Sequence, residues 1–238
     1  MSKGYKGKTC TYCGELDISQ TGDHVFAREF FPKDGRANLP KVPACEPCNR
    51  EKSELEHYLT TVLPFASRHP VASKLLESRV PDRLGRNVKL HRELATGHGR
   101  TLMRDRGIIS PRMTIPFDGP KLAALFRMVV RGLVAHHWGV LIPQNYHVGA
   151  GILTRAGDDF MRQLFLKNVN QQVCEALSDG LVLYEGVQAI DNPALTIWRF
   201  QIYGGTQFGG DARAEDEVAS DIWAMSAHIA IPGLFDTD

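Results

Sequence analysis

Residues 10–31, CTYCGELDISQTGDHVFAREFF, and residues 45–53, CEPCNREKS, decide how this chain is read. Each stretch opens on a Cys-x-x-Cys pair, Cys10 with Cys13 and Cys45 with Cys48. A pair at that spacing sits on a tight turn that aims two thiolates at one point. Two such turns complete a closed tetrahedral site of the structural zinc kind. The 31 residues between the pairs are more than a simple zinc ribbon needs, so a folded element is expected between them. That interval contains Asp23-His24, which by itself reads first as polar surface or turn chemistry and only within the cysteine frame as a metal-binding pair.

The residues around the cysteines predict that element. A turn follows Cys13, and then a short strand carrying His24, Val25 and Phe26. A loop, PKDGRANLPKVPA, leads to the second pair. From there Leu55, Tyr58, Leu59 and Val62 fall at helical spacing. The expectation is a β-β-α unit stapled by zinc.

The ordered set C-x2-C, D-H-V and A-C-x-x-C-N-x-x-K-S resembles the HNH endonucleases, ββα-metal nucleases with a four-cysteine zinc site. The resemblance spans roughly residues 8–65, a quarter of the chain. It implies that His24 is the general base and that Asp23 and Asn49 hold a divalent ion, Mg2+ or Mn2+. It also implies that Asn38 steadies the loop of His24. His57, two turns beyond Asn49, is an alternative ligand. Lys52, Arg28 and Arg50 are expected to contact nucleic acid. The family form continues with a proline and a glycine-rich turn, where this chain has FAREFF, residues 26–31.

These residue types suit phosphodiester hydrolysis. A neutral imidazole, with an ordinary pKa of about 6.5, can take a proton from water. One carboxylate and one amide oxygen hold a hard cation loosely enough for a phosphate to complete its shell. A helix starting near Asn49 would point its positive end at that phosphate. The expected activity is metal-dependent cleavage of nucleic acid, DNA first. The alternative is an inactive zinc-stabilised nucleic-acid-binding protein.

The total charge of +1 excludes nothing, but its distribution is uneven. Residues 61–113 carry a net +7 and residues 114–238 a net −6. The first of these reads as a basic connector over residues 67–113 that crosses a polyanion, with one short helix near 71–78 and breaks at Pro81 and Gly85. Its arginines include Arg79, Arg83, Arg86, Arg92, Arg100, Arg104 and Arg106.

Residues 114–238 read as a separate α+β domain after a nuclease module at 1–66. A helix capped by Asp118, with Pro120 in its first turn, opens it. His136-His137 would cap that helix's C-terminal end as imidazolium. LVLYEGV and ALTIWRFQIYG read as strands, whereas the segment ending VNQQVCEAL and EDEVASDIWAMSAHIA read as helices. Cys174 is expected to be a buried apolar residue, and GGTQFGGD a turn. A homodimer or a regulatory partner could use this half. No apolar run follows the basic start of the chain, so a cytoplasmic protein with no membrane partner is expected.

Overall fold

A computed structural model of the chain describes residues 3–67, 69–105, 108–167, 172–206 and 221–235. Strand β1, Thr21–His24, pairs antiparallel with β2, Lys41–Ala44, and sets His24 opposite Lys41. Helix α1, Glu46–Val62, starts at the second cysteine pair with Pro47 in its first turn. That position suits proline, since the amide it lacks would have no partner in a first turn. The expected β-β-α order is therefore present.

The basic middle is more structured than its sequence suggested. Helices α2, Pro70–Ser78, α3, Val80–Arg86, and α4, Val88–Thr96, precede a hairpin of β3, Gly99–Asp105, and β4, Ile108–Thr114. Pro81 and Gly85 lie inside α3 rather than interrupting it, because Pro81 occupies its first turn. The expected helix near 71–78 is α2. Arg106 lies outside the described residues.

Helix α5, Gly119–Trp138, begins as expected. The Asp118 carboxylate accepts from the Lys121 amide at 3.0 Å, and Gly139 ends the helix in the left-handed region at φ 66°. Strand β5, His147–Gly151, helix α6, Arg155–Leu166, and strands β6, Gln172–Leu177, β7, Val182–Gln188, β8, Thr196–Ile202, and β9, Asp221–Ala227, follow. The five strands form one antiparallel sheet in the order β5-β9-β8-β7-β6. The content is mixed helix and sheet, as the α+β reading requires.

The segment AGDDFMRQLFLKNVNQQVCEAL, expected as one helix, opens as helix α6, whereas its residues 172–177 are β6, an edge strand whose Cys174 is exposed rather than buried. EDEVASDIWAMSAHIA, the other helix expected from sequence, holds β9, buried along its whole length, where it is described. Ile222 and Ala224 face the cluster around α5, whereas Trp223 and Met225 face the cluster around α6. A strand buried on both faces has a continuous apolar run without alternation, so period alone does not separate it from a buried helix. Residues 207–220, which hold most of GGTQFGGD, lie outside the described residues.

One continuous cluster of buried side chains runs from Cys10 and Tyr12 through Val25 and Phe26 to α5 and the sheet residues Tyr184, Trp198 and Phe200. The FAREFF segment joins its two ends. Phe26, Phe30 and Phe31 are all buried. The Phe26 ring lies 5.4 Å from that of Tyr184 and 6.3 Å from that of Phe200. Phe30 packs edge-on against Tyr203, whose hydroxyl donates to the Phe30 carbonyl at 3.1 Å. The phenylalanines that replace the turn after His24 are thus anchors for the loop, worth roughly 2 kcal/mol or more each in buried area.

Candidate metal centre and adjoining cleft

The four cysteines converge. Their sulfurs all lie within 4.8 Å of one another, and the Cys13 and Cys45 sulfurs are 3.9 Å apart. A tetrahedral zinc with bonds of about 2.3 Å requires sulfur–sulfur edges of about 3.8 Å. The donor set is compatible with structural zinc. The Cys45 amide donates to the Cys10 sulfur at 3.4 Å. Burial raises the Cys10 thiol, but backbone amides of Cys13, Cys45 and Tyr12 outweigh it and leave the group below its ordinary value. Among the described residues this is the one group of three or more His, Cys, Asp or Glu side chains close enough to hold an ion.

Tyr12 lies between the first two cysteines and points inward. Its hydroxyl donates to Asp23 Oδ2 at 2.5 Å. Burial, and then the Asp23 charge, push the phenol well above its usual pKa, so it stays a donor. The same Asp23 oxygen lies 3.0 Å from Lys52 Nζ. Lys52 is completely buried and also contacts Glu56 Oε1 and the His24 carbonyl, the latter at 2.7 Å. Lys52 was expected on a nucleic-acid face, but its ammonium is spent inside the fold. Burial raises the Glu56 carboxyl to about 7, against the pull of Lys52. Both contacts to Asp23 fall on Oδ2, so neither engages Oδ1.

Asp23 and His24 open into a cleft of about 270 Å³ that is also lined by Arg28, Glu29, Ser53, Glu56, His57, Thr60 and Arg83. Burial, with help from Lys41 and Arg28, lowers the His24 pKa to about 4. Its imidazole is therefore neutral at neutral pH.

Asn49 is not in this cleft. It lines a neighbouring one of about 620 Å³ with Glu46, Arg50, Glu54, Arg86 and Asn87. Ser53 and His57 line both. Asn49, Ser53 and His57 stand four residues apart on one face of α1. Of that face, Ser53 and His57, the alternative ligand, share a cleft with Asp23, and Asn49 does not.

Asn38 is exposed in the left-handed region at φ 56°. The hydrogen bond that holds the His24 backbone comes from Lys52. Arg28 lines the His24 cleft, and Arg50 is exposed in a 3.0 Å ion pair with Glu46. Sequence reasoning missed Tyr12 and Glu56. The x-x inside a Cys-x-x-Cys turn is constrained to lie beside the metal, and Glu56 stands one turn after Lys52, so both were within reach of a spacing argument.

Comparison with protein families, with curated proteins and with solved structures returned no match. Among the described residues no helix is long and apolar enough to cross a membrane.

Proposed function

We propose that this chain is a metal-dependent endonuclease of the HNH type, hydrolysing phosphodiester bonds of nucleic acid, with DNA as the first substrate to test. The observation that carries the reading is the shared cleft: His24 leaves β1 at its wall, beside Asp23 and opposite α1, with Arg28 and Arg83 on its rim. His24 acts as general base on the attacking water. Arg28 meets the charge of the phosphate. Asp23 would hold a divalent ion, with His57 of the same cleft, or Asn49 as the resemblance implies, as the donor from α1. Such an ion, when bound, supplies charge neutralisation at the phosphate. Tyr12 and Lys52 fix the Asp23 carboxylate, and Lys52 fixes the His24 backbone.

One observation favours a second reading, a zinc-stabilised nucleic-acid-binding protein without catalysis. The Lys52 ammonium already sits 3.0 Å from Asp23, which lessens the pull of that carboxylate on another cation. Nicking of supercoiled plasmid, with added Mg2+ or Mn2+ and without, separates the two. The endonuclease nicks only with the ion, and the binding protein retards the plasmid without nicking it.

A further inference from the structure

We propose that Arg36, Arg79 and Arg83 form a phosphate-binding site beside the His24 cleft, and that the Glu29 carboxylate is its displaceable stand-in for phosphate. Three guanidinium groups converge on this one carboxylate. Arg36 reaches Oε1 at 3.0 Å, while Arg83 and Arg79 reach Oε2 at 2.9 and 3.4 Å. Their positive charges exceed the single negative charge they surround. A backbone phosphodiester presents the same two charged oxygens and single negative charge as this carboxylate, a free phosphate presents more, and planar forks match phosphate oxygens well.

The arginines have anchors other than Glu29, whereas the carboxylate is the most exposed member of the cluster. Their side chains are 16%, 24% and 12% exposed, against 52% for Glu29. Arg36 and Arg79 each donate to the Phe31 carbonyl at 3.3 Å, and Arg83 donates to the Thr60 carbonyl at 2.6 Å. The backbone carbonyls hold the arginines independently of Glu29, so the site would persist if a phosphate displaced that half-exposed carboxylate.

The site adjoins the chemistry, because Glu29 and Arg83 line the same cleft as Asp23 and His24. A phosphate in the arginine site would be a neighbour of the phosphate at His24 along one strand. That assignment to the nucleic-acid backbone rests on the proposed function. The preference for a phosphate group does not.

The test is binding, measured without added divalent ion so that nothing is cleaved. A labelled duplex, the same duplex with terminal phosphates, and inorganic phosphate are the three probes. Glu29→Gln removes the competing charge. If the site is free in about a fifth of molecules, duplex affinity rises on the order of fivefold. Arg36→Gln weakens binding and lowers the slope of log affinity against log salt by about 0.9, one phosphate contact.

A duplex response that is the same with and without terminal phosphates assigns the site to the backbone. A response confined to terminal or inorganic phosphate assigns it to a free phosphate group and overturns the backbone placement. Unchanged affinity in Glu29→Gln, together with an unchanged slope in Arg36→Gln, overturns the site and leaves an ion cluster that only ties the loop. Should Glu29→Gln unfold the chain, the slope in Arg36→Gln decides alone. A chain that binds phosphate in this way and never nicks DNA keeps this site and loses the endonuclease reading. Nicking with affinity indifferent to these variants does the reverse.

Discussion

The Tyr12 hydroxyl donates to Asp23 Oδ2 at 2.5 Å, and Tyr12 stands between two of the four cysteines. The four-cysteine cluster and the candidate catalytic carboxylate are therefore joined by one side chain. Whatever fixes the first cysteine turn fixes Tyr12, and through it one oxygen of Asp23. Lys52 holds the same oxygen from α1, so the carboxylate is clamped from both halves of the β-β-α unit.

Removing that hydroxyl tests the link. Tyr12→Phe should keep its metal content and its fold, and should lose about 2 kcal/mol of stability, because a largely buried carboxylate gives up one charge-assisted hydrogen bond. Denaturant unfolding measures the loss, and metal analysis checks the centre. A loss below about 0.5 kcal/mol would mean that water replaces the phenol without cost.

The centre itself should be needed for folding. Cys45→Ser removes a buried ligand, and the binding free energy of a structural zinc is folding free energy. The variant should lose bound zinc and the circular dichroism of the N-terminal helix together. A zinc-free variant with an unchanged spectrum would show that the thiols are not a metal site.

The C-terminal half reaches the site through Gly132. A Cβ built there would lie 2.9 and 3.0 Å from the two Val25 methyl groups, and Val25 follows His24 directly. Gly132→Ala should cost about 1–3 kcal/mol by overpacking and should lower any nicking activity with it. Normal stability with normal activity would place the two halves in looser contact than their shared core implies.

Much of this arrangement was legible in the sequence, and the misses share a cause. The cysteine spacing and the start of α1 are local signals, and the converging thiols and helix α1 follow them. Lys52 was placed on the nucleic-acid face by the resemblance, from its position after Asn49. Its burial depends on Asp23, 29 residues earlier, and such pairing across the chain leaves no local trace. FAREFF reads as a departure from a pattern until Tyr184, Phe200 and Tyr203 appear beneath it. Strand β9 misled because it is buried on both faces, and β6 because an edge strand with one neighbour needs no apolar alternation.

His136-His137 shows the same effect. Rather than capping α5 as imidazolium, His137 is hydrogen-bonded through Nε2 to the Tyr184 hydroxyl at 3.0 Å. Burial, and then the neighbouring His136, lower its pKa to about 4. Between about 4 and the unfolded value near 6.5 the unfolded chain binds more protons, so stability falls as pH falls through that window. His137→Gln keeps a hydrogen-bonding group that does not titrate. Between pH values of about 7 and 5 it should lose less stability than the wild type in urea unfolding. Equal losses would contradict a neutral buried imidazole at this position.

The most direct measurement compares wild type and His24→Ala on supercoiled plasmid with Mg2+ or Mn2+, after zinc content and circular dichroism show both to be folded. The account predicts nicking that needs the added ion and falls by about a hundredfold or more in the variant, the loss typical of a general base. Equal nicking by both proteins, or none by either on duplex and single-stranded DNA, would contradict it.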